Sequence, residues 1–261
     1  MQSDDCIRVF NAAGLTYREA GAPFLDHFAK LLIDALDVQP GNHVVDLATG
    51  PGTVAKQLSA RVGSAGSVIG IDLADRQLEI ARDDSTGPSR FLHMDATALT
   101  LPDHAVDVVT CGFGLPYFDD PARAVREASR ILRPGGRLSF STWSEPWFGT
   151  AGDILTAAFE RHEALNVRGR YTYTPDQLAQ LCFAAGLRDV IVEAHALPLA
   201  FPSFDAWWVM NLSFAFLIPL ETLEPEQQAD LRADLEASTA LRTDDGAITT
   251  SMDVYLLRAT T

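Results

Sequence analysis

Basic charge is what this chain has least of. Lysine occurs twice, at Lys30 and Lys56, and the 20 Lys+Arg face 35 Asp+Glu for a net charge of −15. A protein that neutralises nucleic-acid phosphates needs a basic face, so that class is excluded. Docking on an anionic membrane surface is excluded for the same reason. Cysteine is also scarce. Cys6, Cys111 and Cys182 form no C-x-x-C pair, which leaves neither a disulfide framework nor a thiolate metal site to expect. Long apolar runs are absent. The longest, residues 214–220, holds seven residues with Pro219 inside it, against the roughly 20 that span a bilayer. The first five residues carry no basic n-region and no apolar h-region, so no secretory signal is expected. A cytoplasmic protein without membrane insertion follows as the expectation.

What remains is an ordinary globular composition, 47% apolar and 21% charged over 261 residues. The chain alternates strand-like and helix-like stretches. Residues 22–36 place Phe24, Phe28, Leu31, Leu32 and Ala35 at helical spacing. Short β-branched or apolar runs at 43–47, 66–72, 90–94, 106–111 and 137–142 read as strands. Between them, 53–62, 75–82 and 120–132 read as helices, the last stopped by Pro134-Gly135-Gly136. Strand–helix alternation with short apolar strands predicts a parallel sheet covered on both faces. With right-handed crossovers this is a doubly wound, three-layer α/β sandwich. Residues 148–165 and 175–185 read as further helices, 190–194 as a strand and 246–258 as a last strand. The helical stretch 203–240, broken near Pro219, is an insertion rich in Phe204, Trp207, Trp208, Met210, Phe214 and Phe216. It is either extra core or a lid over an apolar pocket.

The informative segment is Val44-Val45-Asp46-Leu47-Ala48-Thr49-Gly50-Pro51-Gly52-Thr53-Val54-Ala55. A strand runs into a glycine turn and then a helix, and glycine permits positive φ and close backbone approach to a ligand. The stretch from Gly50 to Ala55 fits G-x-G-x-x-G/A, and Asp72 follows at dinucleotide-site spacing. Asp46 argues for another nucleotide. A carboxylate at the strand end repels a pyrophosphate and attracts an ammonium or sulfonium.

Asp46-Leu47-Ala48-Thr49-Gly50-Pro51-Gly52 resembles the D-x-G-x-G-x-G motif of class I S-adenosylmethionine-dependent methyltransferases, with Ala48 where that family usually has its first glycine. Gly70-Ile71-Asp72-Leu73 is similar to the acidic motif of the second strand. His93-Met94-Asp95-Ala96 resembles the adenine-binding D-A, and the stretch from Leu101 to Val109 resembles the L-P-x-x-x-x-D-x-V segment that follows it. Leu132-Arg133-Pro134-Gly135-Gly136-Arg137-Leu138 resembles the turn before the fifth strand. The closest subgroup is the small-molecule, ubiquinone/menaquinone-biosynthesis type.

The resemblance implies a seven-stranded, mostly parallel sheet with an antiparallel last strand, plus a helical lid insertion. It divides the chain into an N-terminal helical segment over the cofactor (1–40), a Rossmann-like cofactor core (41–145) and a remainder (146–261) holding the lid at about 203–240. Together these make one compact domain. It implies S-adenosylmethionine as cofactor. Asp46 would lie near the methionine ammonium, with Ala48, Gly50 and Gly52 in the turn beneath it. Asp72 would take the ribose hydroxyls, helped by Gln77, and Leu73 would pack on the adenine. Asp95 and Ala96 would read the adenine edge, the Cys111 carbonyl would face the methionine amine, and Tyr17 would cover the methionine moiety.

An acceptor belongs beyond the carboxyl ends of the strands. Phe113, Leu115, Tyr117, Trp143, Trp147 and Phe148 would wall that space, with Trp207 and Phe214 closing it alongside Phe201, Trp208 and Phe216. An apolar or aromatic small molecule fits such a lining. If a proton must be removed, His27 and His162 are the candidates on helices bordering the pocket. Glu145, Tyr171 and Tyr173 are others. The expected reaction is methyl transfer to a natural product or quinone-like acceptor by a monomer or homodimer. The alternatives are a non-methylating reaction (cyclisation, decarboxylation or hydroxylation) with the cofactor bound, a non-catalytic cofactor-binding partner subunit, and a nicotinamide dehydrogenase.

Overall fold

The computed structural model describes residues 3–85, 87–144, 149–162, 172–212, 217–238 and 247–261. A long helix α1 (Ser3–Asp34) precedes β1 (His43–Leu47), α2 (Thr53–Val62), β2 (Ser67–Asp72), α3 (Asp75–Asp83), β3 (Ser89–His93) and β4 (Val106–Gly112). Then come α4 (Pro121–Ile131), β5 (Leu132–Trp143), α5 (Gly149–Arg161), α6 (Pro175–Ala184) and β6 (Arg188–Phe201). The chain closes with α7 (Phe204–Leu212), α8 (Leu217–Leu220), α9 (Pro225–Ala237) and β7 (Ile248–Thr260). One seven-stranded sheet has the order β3-β2-β1-β4-β5-β7-β6. Its first five strands are mutually parallel, and β7 runs antiparallel to both β5 and β6. The doubly wound α/β reading and the reversed last strand therefore hold.

Successive residues of a strand face opposite ways, and β1 shows it. Val44 packs toward α1, α2 and α3, beside Leu32, Ile33, Leu58 and Leu78. Val45 and Leu47 pack toward α4 and α6, beside Val125, Ile131, Leu178 and Cys182. A third cluster sits at the β7 end, where Phe159 of α5, Trp207 of α7 and Leu231 of α9 cover Val254. Helix starts follow local chemistry. Asp120 accepts from Arg123 N at 2.8 Å ahead of Pro121, and Thr174 with Gln177 forms a reciprocal capping box before α6.

Three elements differ from the sequence reading. The helix expected over 22–36 begins at Ser3 and is broken at Gly14, whose φ of 47° and ψ of −127° suit only glycine. Strand β5 begins at Leu132 rather than 137, because Pro134 and Gly135 (φ 77°) are absorbed as an irregularity opposite Val106–Val108. Strand β6 runs to Phe201 rather than 194 and includes Pro198. An edge strand tolerates proline because one side of its ladder needs no N–H.

The sheet order turns back between β1 and β4: β2 and β3 lie on one side of β1, β4 and β5 on the other. A crevice opens at such a switch point, beyond the carboxyl ends of the strands.

Candidate cofactor and active site

The crevice is where the motif residues converge. After Leu47 the chain turns through Ala48 (φ 49°), Gly50 (φ 54°) and Gly52 (φ 81°), and α2 starts. Ala48 is the exception in this run, since a left-handed backbone costs a residue with a Cβ roughly 1–2 kcal/mol. Asp46 ends β1 with no exposed surface. Its Oδ2 accepts from Thr49 Oγ1 at 2.6 Å and its Oδ1 from Thr110 Oγ1 at 2.7 Å. Burial nevertheless raises its pKa to about 7; the two hydroxyls oppose the rise and the nearby Asp72 charge adds to it. Asp72, at the end of β2, accepts from Gly50 N at 2.8 Å and from Ala74 N at 2.9 Å. Burial raises its pKa as well, against those backbone donors. A carboxylate offers about four lone-pair sites, so each retains acceptor capacity toward a ligand.

The main cavity is lined by Tyr17, Ala48, Gly50, Asp72, Leu73, Gln77, Asp95 and Ala96, together with Phe113 and Tyr117. Asp46 lines a smaller adjoining cavity that shares Tyr17, Ala48, Gly50 and Phe113 with the first. Asp95 is turned locally, accepting from Thr97 N at 2.7 Å and Thr97 Oγ1 at 2.8 Å. Burial holds the Tyr17 phenol well above its ordinary pKa, so it remains a donor.

Other expected residues lie elsewhere. Gly52 is buried at the N-cap of α2 and touches neither cavity; a Cβ there would meet Ala81 and Phe91 at 3.1 and 3.3 Å. Cys111 and Leu115 are buried in the α4 face, and burial pushes the Cys111 thiol far up. Trp143 stacks on Phe113 with ring centroids 4.4 Å apart, inside the cluster that also buries Trp207, Trp208 and, partly, Phe201. Tyr173 is on the opposite face, its pKa raised to about 12 by burial. His27 is exposed on α1 and lines neither cavity. His162 Nε2 is 2.9 Å from Asp234 Oδ2, a pair joining the end of α5 to α9. Trp147, Phe148, Phe214, Glu145, Tyr171 and Phe216 fall outside the described residues.

Several lining residues carry no motif in the sequence. Cys6, Ile7 and Phe10 come from the first segment of α1. Their apolar spacing with Val9 was the available signal. Ser141 reaches the smaller cavity from β5, where its carbonyl and hydroxyl both accept from Phe113 N. That contact depends on strand register, which no local pattern reveals. Among the described residues no cluster of His, Cys, Asp and Glu is arranged to hold a metal ion, and the three cysteines are buried and form no disulfide. Also among them, no helix is long and apolar enough to cross a membrane.

The acceptor set fits a ligand that is cationic at one end and carries hydroxyl donors. Asp46 and Asp72 supply negative potential. Gln77 Oε1 is a buried acceptor with no partner among the described residues, so a ligand donor is wanted there.

Comparison with known proteins agrees. Residues 45–140 match the family model described as a methyltransferase domain. The ubiquinone/menaquinone biosynthesis C-methyltransferase UbiE of Idiomarina loihiensis is 35% identical over 130 residues, 48% of this chain and 52% of that protein. The chain thus spans about half the length of the curated relatives it matches with that identity. Among solved structures, an S-adenosylmethionine-dependent methyltransferase of Thermotoga maritima superposes with a TM-score of 0.58 at 18% identity, covering 97% of this chain and 98% of that one. The [4+2]-cyclase SpnF superposes with a TM-score of 0.58 at 20% identity, covering 89% and 80%. Residues 45–140 thus match a methyltransferase domain, and the seven-stranded sheet that holds them has the fold of solved S-adenosylmethionine-dependent methyltransferases.

Proposed function

We propose that the chain transfers a methyl group from S-adenosylmethionine to an uncharged, aromatic or quinone-like small molecule. The observation that carries this reading is the junction of the two cavities. Carboxylates lie at the floor, and Tyr17 and Phe113 line both chambers. The sulfonium of the cofactor supplies an activated methyl group. The protein's part is position and dryness. Asp46 holds negative charge beneath the site, and its two threonine hydroxyls fix the carboxylate in place. Asp72 orders the glycine turn through Gly50. Phe10, stacked edge-on against Tyr17 and Tyr117 at 5.5 and 5.1 Å, roofs the cavity against water. Phe113, backed by the buried Trp143, offers the flat apolar surface against which a planar acceptor ring packs. A quinone-like acceptor is favoured by this lining and by the similarity to the Idiomarina ubiquinone/menaquinone C-methyltransferase.

The three-part division into N-terminal cover, cofactor core and lid-bearing remainder belongs to the same proposal. In it α7 and α9 close the acceptor side. The test is incubation with S-adenosylmethionine and a panel of reduced demethylquinones and phenols. Formation of S-adenosylhomocysteine with a product heavier by one methylene unit is expected. A second reading, a rearrangement or cyclisation with the cofactor bound, is favoured by one observation: no histidine lines either cavity. A product of unchanged mass would select it.

A further inference from the structure

Gln77 stands out among the residues of the main cavity. It lies on α3 with 1% of its surface exposed. Its Nε2 donates to Phe10 O at 2.7 Å and to Gly14 O at 3.4 Å. Both partners are carbonyls and only accept, so the amide is fixed with nitrogen toward α1 and Oε1 away from those carbonyls. Oε1 has no hydrogen-bond partner among the described residues.

The two carbonyls are not arbitrary. Gly14 breaks α1, and the last carbonyls of a helical segment lack intrahelical donors. Gln77 therefore caps the end of the N-terminal segment from a different helix. A second tether from α3 accompanies it: Arg76 N donates to Asn11 Oδ1 at 3.0 Å. The capped segment contributes Cys6, Ile7 and Phe10 to the cavity. One amide thus has its donor end on the cover and its unpartnered acceptor end buried, in a residue that lines the chamber the cover closes.

We propose that Gln77 is a positioning residue that couples occupancy of the cavity to closure of the N-terminal segment over it. A ligand hydroxyl near Asp72 donates to Oε1 and satisfies the buried acceptor. The amide is then held in the orientation that caps Phe10 and Gly14, and the segment over the ligand is stabilised. This rests on the reading of the cavity as the cofactor site.

Hydrogen–deuterium exchange on the full chain, with and without saturating S-adenosylhomocysteine, tests it. In the wild type the ligand slows exchange both at the floor (residues 48–52 and 72–77) and in the cover (residues 4–16). In Gln77→Met, which keeps length and loses both polar ends, floor protection persists. The ligand-induced protection of the cover falls about tenfold, as loss of two buried hydrogen bonds implies. Gly14→Ala unlatches the cover from the other side. The added Cβ has room, its nearest neighbour being Arg76 Cγ at 3.9 Å, but the φ of 47° is strained. It should show the same selective loss without touching the floor. Equal cover protection in wild type and both variants overturns the coupling and leaves the cofactor reading intact. Protection nowhere in the wild type overturns both.

Discussion

The backbone N–H of Gly50 donates to Asp72 Oδ2 at 2.8 Å, joining the glycine turn after β1 to the acidic end of β2. The two motifs are 22 residues apart and belong to one hydrogen-bonded unit. Removing the Asp72 carboxylate therefore strips the ligand of an acceptor and loosens the turn beneath it. Hydrogen bonds to charged groups contribute about 1.5–3 kcal/mol. Asp72→Ala should accordingly weaken binding of S-adenosylhomocysteine by about 10- to 100-fold by calorimetry. Asp72→Asn, which keeps one acceptor oxygen, should fall between.

Asp46 predicts a pH signature. Its pKa is raised from 3.8 to about 7 in the fold, so the folded state holds a proton that the unfolded state releases above pH 4. The stability it contributes is complete below the unfolded pKa and is lost as pH rises to about 7. Urea midpoints should fall over that window for the wild type relative to Asp46→Asn, then run parallel above it. A cationic ligand favours the carboxylate. Binding near pH 6 should therefore release protons, read as a dependence of the calorimetric heat on buffer ionisation enthalpy. Asp46→Asn should release fewer.

Ala48 and Gly114 form a complementary pair. A Cβ on Gly114 would sit 2.5 Å from the Ala48 Cβ and 2.8 Å from Cys111 Sγ. Gly114→Ala should therefore cost about 1–3 kcal/mol by overpacking. Ala48→Gly should be close to neutral, because relief at φ 49° offsets the chain entropy of glycine. In the double variant part of the Gly114→Ala cost should disappear, leaving the share due to Cys111. Thermal denaturation of the four proteins gives the coupling.

Neither candidate histidine is placed to move a proton. His27→Ala, an exposed change on α1, should leave the methyl-transfer rate within about twofold of wild type. His162→Ala breaks the contact with Asp234 and should show itself in stability before rate. A rate loss above a hundredfold in either, at unchanged stability, would point to chemistry outside the two cavities.

The fold was legible where local chemistry and packing agree. Strand β1 and helix α2 have the expected bounds because apolar runs, glycine and helix periodicity coincide there. The convergence of Asp46, Gly50 and Asp72 on one crevice was legible too, since their spacing along β1, the glycine turn and β2 sets it. The extent of β6 was not, because Pro198 is tolerated only through its edge position, a property of the whole sheet. Likewise Leu115 and Phe113 are two positions apart yet face different cores, since Phe113 has a φ of 61° and breaks the alternation. The N-terminal segment is legible as helical, but its break at Gly14 and its capping by Gln77 depend on contacts 63 and 67 residues apart.

The most direct test of the central claim is to titrate one preparation of the protein with S-adenosylhomocysteine and with NAD+. Saturable one-to-one binding of the first and no heat from the second is the expected result. Binding of NAD+ with S-adenosylhomocysteine silent would contradict it.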